Sequence, residues 1–304
     1  MTQSQRPGPH NRRLLAGQRS EVVIADIQGE TTTVIYDSDQ LIEAPNWTAD
    51  GKWLVYNADG RLFRLSADGQ YGPHRINTAP IENLNNDHIL SPDGRLIYLS
   101  ANDGHLYVCD IKGSVPRRVS HDMPAAQQYR YYLHGISPDG ATLAYVGLER
   151  RADGSTMTRI ATQPAEGGEV VHLTNGARPV DGPEFSPDGQ WIYFNSEAAA
   201  TCPGHAQIFR MRPDGFGVEQ LTFDERVNWF PHLSPNGEVM AYISFPPGTE
   251  GHPADCDVII RLATVDGTAT RDIDRFNGGQ GTINVPSWAP DSSRFGYIRY
   301  PTGR

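Results

Sequence analysis

The sequence predicts an all-β chain folded as a six-bladed β-propeller, and three observations carry that prediction. A four-residue turn signature recurs six times at a near-constant spacing. Each copy is followed by short alternating strands, not by helical periodicity. The two ends of the chain supply complementary parts of one further repeat.

The signature reads Thr48-Ala49-Asp50-Gly51, Ser91-Pro92-Asp93-Gly94, Ser137-Pro138-Asp139-Gly140, Ser186-Pro187-Asp188-Gly189, Ser234-Pro235-Asn236-Gly237 and Ala289-Pro290-Asp291-Ser292. Its third residue falls at 50, 93, 139, 188, 236 and 291, a spacing of 43 to 55 residues, which is the range of propeller blades. Proline presets φ at the corner, Asp or Asn bonds back to the backbone, and Gly accepts positive φ, so the four make a tight turn between strands.

The elements follow in order. Residues 1–18 are polar and basic without apolar periodicity and are expected to form a flexible N-terminus. Residues 20–40, "SEVVIADIQGETTTVIYDSDQ", read as the third and fourth strands of a repeat that lacks its first two. Each full repeat then has an inner strand ending on an apolar residue (Trp47, Leu90, Ile136, Phe185, Leu233, Trp288). After the turn comes a second strand such as "RLIYLS" or "TLAYVG", a third such as "HLYVCDI", and a fourth such as "VEQLTFD". The chain stops on "RFGYIRYPTGR", the second strand of the sixth repeat, so residues 20–40 complete blade six and close the ring. Closure removes the sheet edges that an open array would expose. The expected organisation is one propeller domain over residues 1–304.

Composition narrows the function. Of 304 residues 38% are hydrophobic and 20% charged, enough for a packed core, and 31 Gly with 23 Pro favour turns over helices. A net charge of −10 argues against a nucleic-acid or anionic-membrane partner. The odd set Cys109, Cys202 and Cys256 has no disulfide framework spacing and suits a reducing compartment. No apolar run is long enough to span a membrane and the first residues lack a signal-peptide core, so the expected location is the cytoplasm.

Function is read where the repeat is broken. Three residues before the turn stand Pro45, His88, His134, Pro183, Pro231 and Pro286; the next position carries Asn46, Ile89, Gly135, Glu184, His232 and Ser287. Proline there leads the chain into the inner strand. Histidine at 88, 134 and 232 is expected to crowd one mouth of the channel, where imidazoles suit a divalent metal (Mn, Zn, Fe, Ni or Ca). Asp87 and Glu184 would act as further ligands or would orient the rings. The glycine-rich "NGGQGTIN" (277–284) offers Gln280 and Asn284 as amide donors to a ligand, His252 sits on a long loop of the same face, and Trp229 offers a sugar-stacking ring. Arg130, Arg150, Arg151, Arg178 and Arg226 are candidates to grip a carboxylate, and the sequence does not choose among them. There is no nucleophile elbow, phosphate loop, HExxH or CxxC.

The units "PNWTADGKWLVY", "PEFSPDGQWIYF" and "PSWAPDSSRFGY" resemble the repeat of TolB-type propellers over nearly the whole chain. TolB proteins carry a secretion leader and an N-terminal α/β domain that are not recognisable here. The histidines and Gln280 also make the chain similar to oligogalacturonate lyases, propellers that hold a divalent metal with histidines and a glutamine. That resemblance implies a metal on His88, His134, His232 and Gln280 that binds a uronate carboxylate; from the residues themselves, His134, Arg130 and Arg178 are expected at the reacting centre. Asp87, Glu184, Trp229, Asn284 and His252 would then contact the substrate. The implied reaction is β-elimination on a small carbohydrate or organic acid. The alternative is a non-catalytic scaffold that holds a ligand, protein or peptide in the channel.

Overall fold

The repeat folds around a hydroxyl-locked turn. In the computed structural model, which describes residues 12–28 and 31–303, the Ser91 hydroxyl donates to Asp93 Oδ1 (2.6 Å) and accepts the Leu96 N–H (2.9 Å). Gly94 sits at φ +70° and returns its N–H to Ser91 O (2.8 Å). The same hydroxyl contact recurs at Thr48–Asp50, Ser137–Asp139, Ser186–Asp188 and Ser234–Asn236. In the sixth copy Ala289 has no hydroxyl; Ser293 donates to Asp291 instead (2.7 Å), and Ser292 takes the positive φ of +61°.

These turns join antiparallel strands into six sheets. The chain opens with β1 (Ser20–Asp26) and β2 (Thr32–Ser38). Blade one is β3 (Ile42–Trp47), β4 (Trp53–Ala58), β5 (Arg61–Ser66) and β6 (His74–Ile76). Blade two is β7 (Leu84–Leu90), β8 (Leu96–Ala101), β9 (Leu106–Asp110) and β10 (Arg117–Arg118). Blade three is β11 (Arg130–Ile136), β12 (Thr142–Arg150), β13 (Thr156–Pro164) and β14 (Val171–His172). Blade four is β15 (Val180–Phe185), β16 (Ile192–Ser196), β17 (Gln207–Met211) and β18 (Glu219–Gln220). Blade five is β19 (Val227–Leu233), β20 (Val239–Phe245), β21 (Cys256–Thr264) and β22 (Thr270–Gly278).

Blade six draws on both ends of the chain. Strand β1 pairs with β2 on one side and with β23 (Arg294–Arg299) on the other, with Val22 opposite Ile298 and Val23 opposite Tyr297. Its inner strand is reduced to a single bridge, Trp288 to Phe295. Residues 20–40 therefore close the ring as the sequence predicts. Of the segment expected to be flexible, residues 1–11 lie outside the described residues. Within 12–18, the Arg12 side chain is 8% exposed beside Glu43, and Gln18 donates to Asp255 (2.6 Å) and Tyr300 O (3.2 Å).

The core lies between neighbouring blades. Val55, Leu62, Leu84, Ile97 and Leu99 pack blade one on blade two, and Ala144, Ile160, Phe185, Ile192 and Phe194 pack three on four. Each such side chain contributes about 1.5–3 kcal/mol by leaving water, so the ring is held by its wedges and the axis is left free for polar groups. No helix among the described residues is long and apolar enough to cross a membrane.

Candidate functional site

Bulges in the inner strands decide which side chains face the axis. In blade one Glu43 pairs with Asn57 and Asn46 with Val55, leaving Ala44 and Pro45 out of the ladder. Blade four leaves out Gly182 and Pro183, and blade five Phe230 and Pro231. Proline has no N–H to give a ladder, so it collects where pairing is already broken. The residue before it is left-handed in all three blades: Ala44 at φ +55°, Gly182 at +58° and Phe230 at +54°. A phenylalanine in that region is strained. Phe230 is held there by its N–H donating to Asn195 Oδ1 (3.2 Å) and by its ring stacked on His134 (5.5 Å between centroids).

Blades two and three lack the proline, and their bulges differ. Blade two pairs Leu84 with Ala101 and His88 with Leu99, so Asn85, Asn86 and Asp87 are the bulged residues and His88 is back in register. Blade three pairs Leu133 with Tyr145 and Gly135 with Ala144, so His134 itself is bulged. A bulge re-aims its side chains out of the usual alternation. Asn85, Asn86, Asp87, His134 and Phe230 accordingly line one cavity of about 160 Å³, completed by Tyr132, Asp181, His252, Gln280 and Asn284.

The centre of the cavity is a buried ion pair. His134, 3% exposed, donates from Nδ1 to Asn284 O (3.1 Å) and from Nε2 to Asp181 Oδ1 (3.1 Å). Burial opposes its charge, but Asp87 and Asp181 outweigh burial and hold its pKa up to about 9. Asp181 is likewise held below the carboxylate range, against burial, by His134. Burial pushes Asp87 up to about 6, although His134 and the Asn85 amide (2.8 Å to Oδ2) relieve part of the cost. His252 packs on Trp229 (4.5 Å) and Phe230 (5.0 Å), and burial lowers its pKa. A second cavity of about 130 Å³ adjoins this one, sharing Asn85, Asn86 and Gln280 and adding Arg12 and Glu43.

The expected histidine cluster does not form. His88 turns between blades one and two, with Nδ1 on Asn86 O (3.0 Å) and Nε2 on Val55 O (3.3 Å); these contacts are neutral carbonyls, and burial drives its pKa down to about 4. His232 is in register opposite Ala241 and ties three blades together, with Nδ1 on Glu184 Oε2 (2.6 Å) and Nε2 on Ile283 O (2.8 Å). Glu184 also accepts the Leu233 N–H (2.8 Å), so it holds the ring and does not face the cavity. Trp229 is buried behind His252 and stands in the core. Arg130 donates to Asn102 O (3.2 Å), Arg178 is exposed just before β15, and neither lines the cavity.

A metal does not fit these residues. No group of three His, Cys, Asp or Glu among the described residues is placed to hold one. A metal needs imidazole nitrogens that are neutral and free; both nitrogens of His134 are engaged, with Asp87 and Asp181 favouring its charged form, which leaves His252, whose Nδ1 has no partner, as a single imidazole in the cavity. The Gln280 amide oxygen accepts from Asn284 Nδ2 (3.3 Å).

Of the residues singled out in the sequence, Asp87, His134, His252, Gln280 and Asn284 do meet in the cavity. Asp181 was not foreseen. A signal for it lies two residues before the proline or histidine position, where the six repeats carry Glu43, Asn86, Tyr132, Asp181, Trp229 and Asn284.

No protein-family model matches the chain. An uncharacterised protein of Agrobacterium fabrum is 37% identical over 286 residues, covering 93% of this chain and 92% of the relative. A solved structure from Agrobacterium tumefaciens, provisionally assigned as TolB, superposes with a TM-score of 0.84 at 36% identity over 93% of this chain and 99% of that one. The Tol-Pal system protein TolB of Francisella tularensis is 22% identical over 90% of this chain, which spans 60% of that relative's length. An oligogalacturonate lyase solved in complex with manganese superposes with a TM-score of 0.58 at 15% identity, over 91% of this chain and 78% of the lyase, a likeness of fold alone.

Proposed function

The chain belongs to the TolB-like six-bladed β-propellers, and on that premise we propose that it is a ligand-binding propeller. Its cavity around His134 and Asp181 holds a small polar molecule of carbohydrate size without a metal. The observation that carries this reading is the buried ion pair opening onto the cavity. Burying charges is costly, and blades one, four and five build the same strand with proline at this position. A pair kept there at that cost is suited to contacting something that enters.

The lyase-like expectation is narrowed accordingly. A carbohydrate remains in keeping with a cavity walled by amides, carboxylates and aromatic rings. Uronate binding has lost its arginines, Arg130 and Arg178, and the metal has lost its ligands. A second reading is metal-free proton transfer on the same ligand. Asp87 near 6 and His134 near 9 are a base and an acid whose surroundings have drawn their pKa values apart. A folded protein partner is too large for the cavity, leaving a peptide end as the macromolecular alternative. We further propose a cytoplasmic location, a setting that suits an odd set of three cysteines without disulfide framework spacing.

Calorimetric screening of the full chain against monosaccharide-sized compounds tests the reading. A compound should bind with or without EDTA, and Asp181→Asn should weaken it at least tenfold while circular dichroism stays unchanged. Binding that ignores Asp181→Asn, or that EDTA abolishes, contradicts it.

A further inference from the structure

The cavity holds two carboxylate oxygens that no donor satisfies. Asp87 is 4% exposed and uses Oδ2 for the Asn85 amide (2.8 Å); its Oδ1 has no hydrogen bond among the described residues. Asp181 spends Oδ1 on His134 Nε2 (3.1 Å) and the Gly182 N–H (2.8 Å). Its Oδ2 stands 3.8 Å from His252 Nε2, beyond hydrogen-bond reach. Neither oxygen is among the fully buried unpartnered atoms, so both are open to the cavity and to a donor that enters it; the fully buried unpartnered atoms of the same wall are Asn86 Nδ2 and His252 Nδ1. Both residues line the same half-open cavity.

The remaining wall says what kind of donor is missing. Against the two carboxylates stands one imidazolium, so the cavity carries an excess negative charge. Arg130 and Arg178, which would welcome an acid, are elsewhere, and Arg12 in the adjoining cavity is paired with Glu43. Tyr132, Phe230, Val146 and Leu148 supply rings and aliphatic surface. A bare divalent ion would need six or more oxygens or a set of free imidazoles, and the described residues offer no such group. An ammonium group needs less: two or three acceptors, a net negative site and an apolar wall for the carbon that carries it.

Building on the ligand-site reading above, we propose that the ligand carries a protonated amine, donated to Asp87 Oδ1 and Asp181 Oδ2, on a small ring or short chain that packs against Tyr132 and Phe230. The substrate class is therefore an amino sugar or comparable small organic monocation, not a uronate.

Matched probes test this by calorimetry at neutral pH: glucosamine with glucose and glucuronate, cyclohexylamine with cyclohexanol and cyclohexanecarboxylate, phenethylamine with its alcohol and acid. At least one amine should bind ten times or more tightly than its alcohol, its acid should not bind, and Asp87→Asn and Asp181→Asn should each weaken it tenfold or more. Should either variant fail to fold, the imidazole ¹⁵N signals of His134 and His252 in the unaltered protein should shift with the amine and not with the alcohol. Alcohol and amine binding equally would overturn the ammonium assignment while sparing the ligand site. Equal amine binding by both variants, displacement of the amine by manganese or calcium chloride, or no amine binding at all would also overturn it.

Discussion

His88 and His134 stand at the same place in successive repeats, each three residues before its turn, yet they end in opposite states. His134 is bulged out of blade three into the cavity, meets a carboxylate and is held as a cation with a pKa near 9. His88 is back in the ladder of blade two, meets two backbone carbonyls and is driven towards neutrality with a pKa near 4. Both are buried, so desolvation is common to both and does not separate them. The register separates them, because it decides whether a countercharge is within reach. Equivalence along the repeat is not equivalence in space.

The largest way to break this contrast is to remove the countercharge. Asp181→Asn leaves a buried imidazolium half-paired and should cost about 3 to 5 kcal/mol in urea unfolding at neutral pH. Next comes pH. The folded pKa of His134 lies above its ordinary value of 6.5, so its stabilisation is complete below about 6.5 and is lost as pH rises through 9. At 1.36 kcal/mol per unit that amounts to about 3 kcal/mol. Unfolding free energies at pH 7 and pH 10 should show this loss in the wild type and not in His134→Gln. His88 runs the other way: its folded pKa is depressed, so stability is lost as pH falls from about 6.5 towards 4, and His88→Leu should flatten that acid limb. At neutral pH the same variant should cost only about 1–2 kcal/mol, the loss of one neutral donor to a carbonyl. The smallest effect sharpens the backbone side. Ala44 occupies the left-handed position that Phe230 occupies in blade five, and Ala44→Gly should raise stability by about 0.5 kcal/mol, the left-handed penalty less the entropy of glycine.

What the sequence reveals follows from how local each feature is. The turns are legible because Ser, Pro, Asp and Gly act within four or five residues, as Ser91, Asp93 and Leu96 do. Closure is legible because the strand count at the two ends must add up to a blade, and β1 does lie between β2 and β23. The meeting of Asp87, His134, His252, Gln280 and Asn284 is legible as a set of departures on one face. The fates of His88 and His232 are not, because a bulge of three residues or two depends on the partner strand and re-aims everything inside it. The arginines mislead for a related reason: a long side chain on a strand end can turn to a backbone carbonyl, as Arg130 does to Asn102, as easily as to a ligand. Asp181 hides beside a proline that looks purely structural.

The pairing of His134 with Asp181 is tested most directly by a ¹⁵N-imidazole titration of the intact protein, with His134 assigned through His134→Gln. At pH 7 its two ring nitrogens should show the near-equal shifts of an imidazolium and should titrate only near pH 9, while the His88 signals stay neutral down to about pH 4. A His134 ring that titrates near its ordinary value of 6.5, or that behaves as His88 does, would contradict the charged cavity and the ligand chemistry drawn from it.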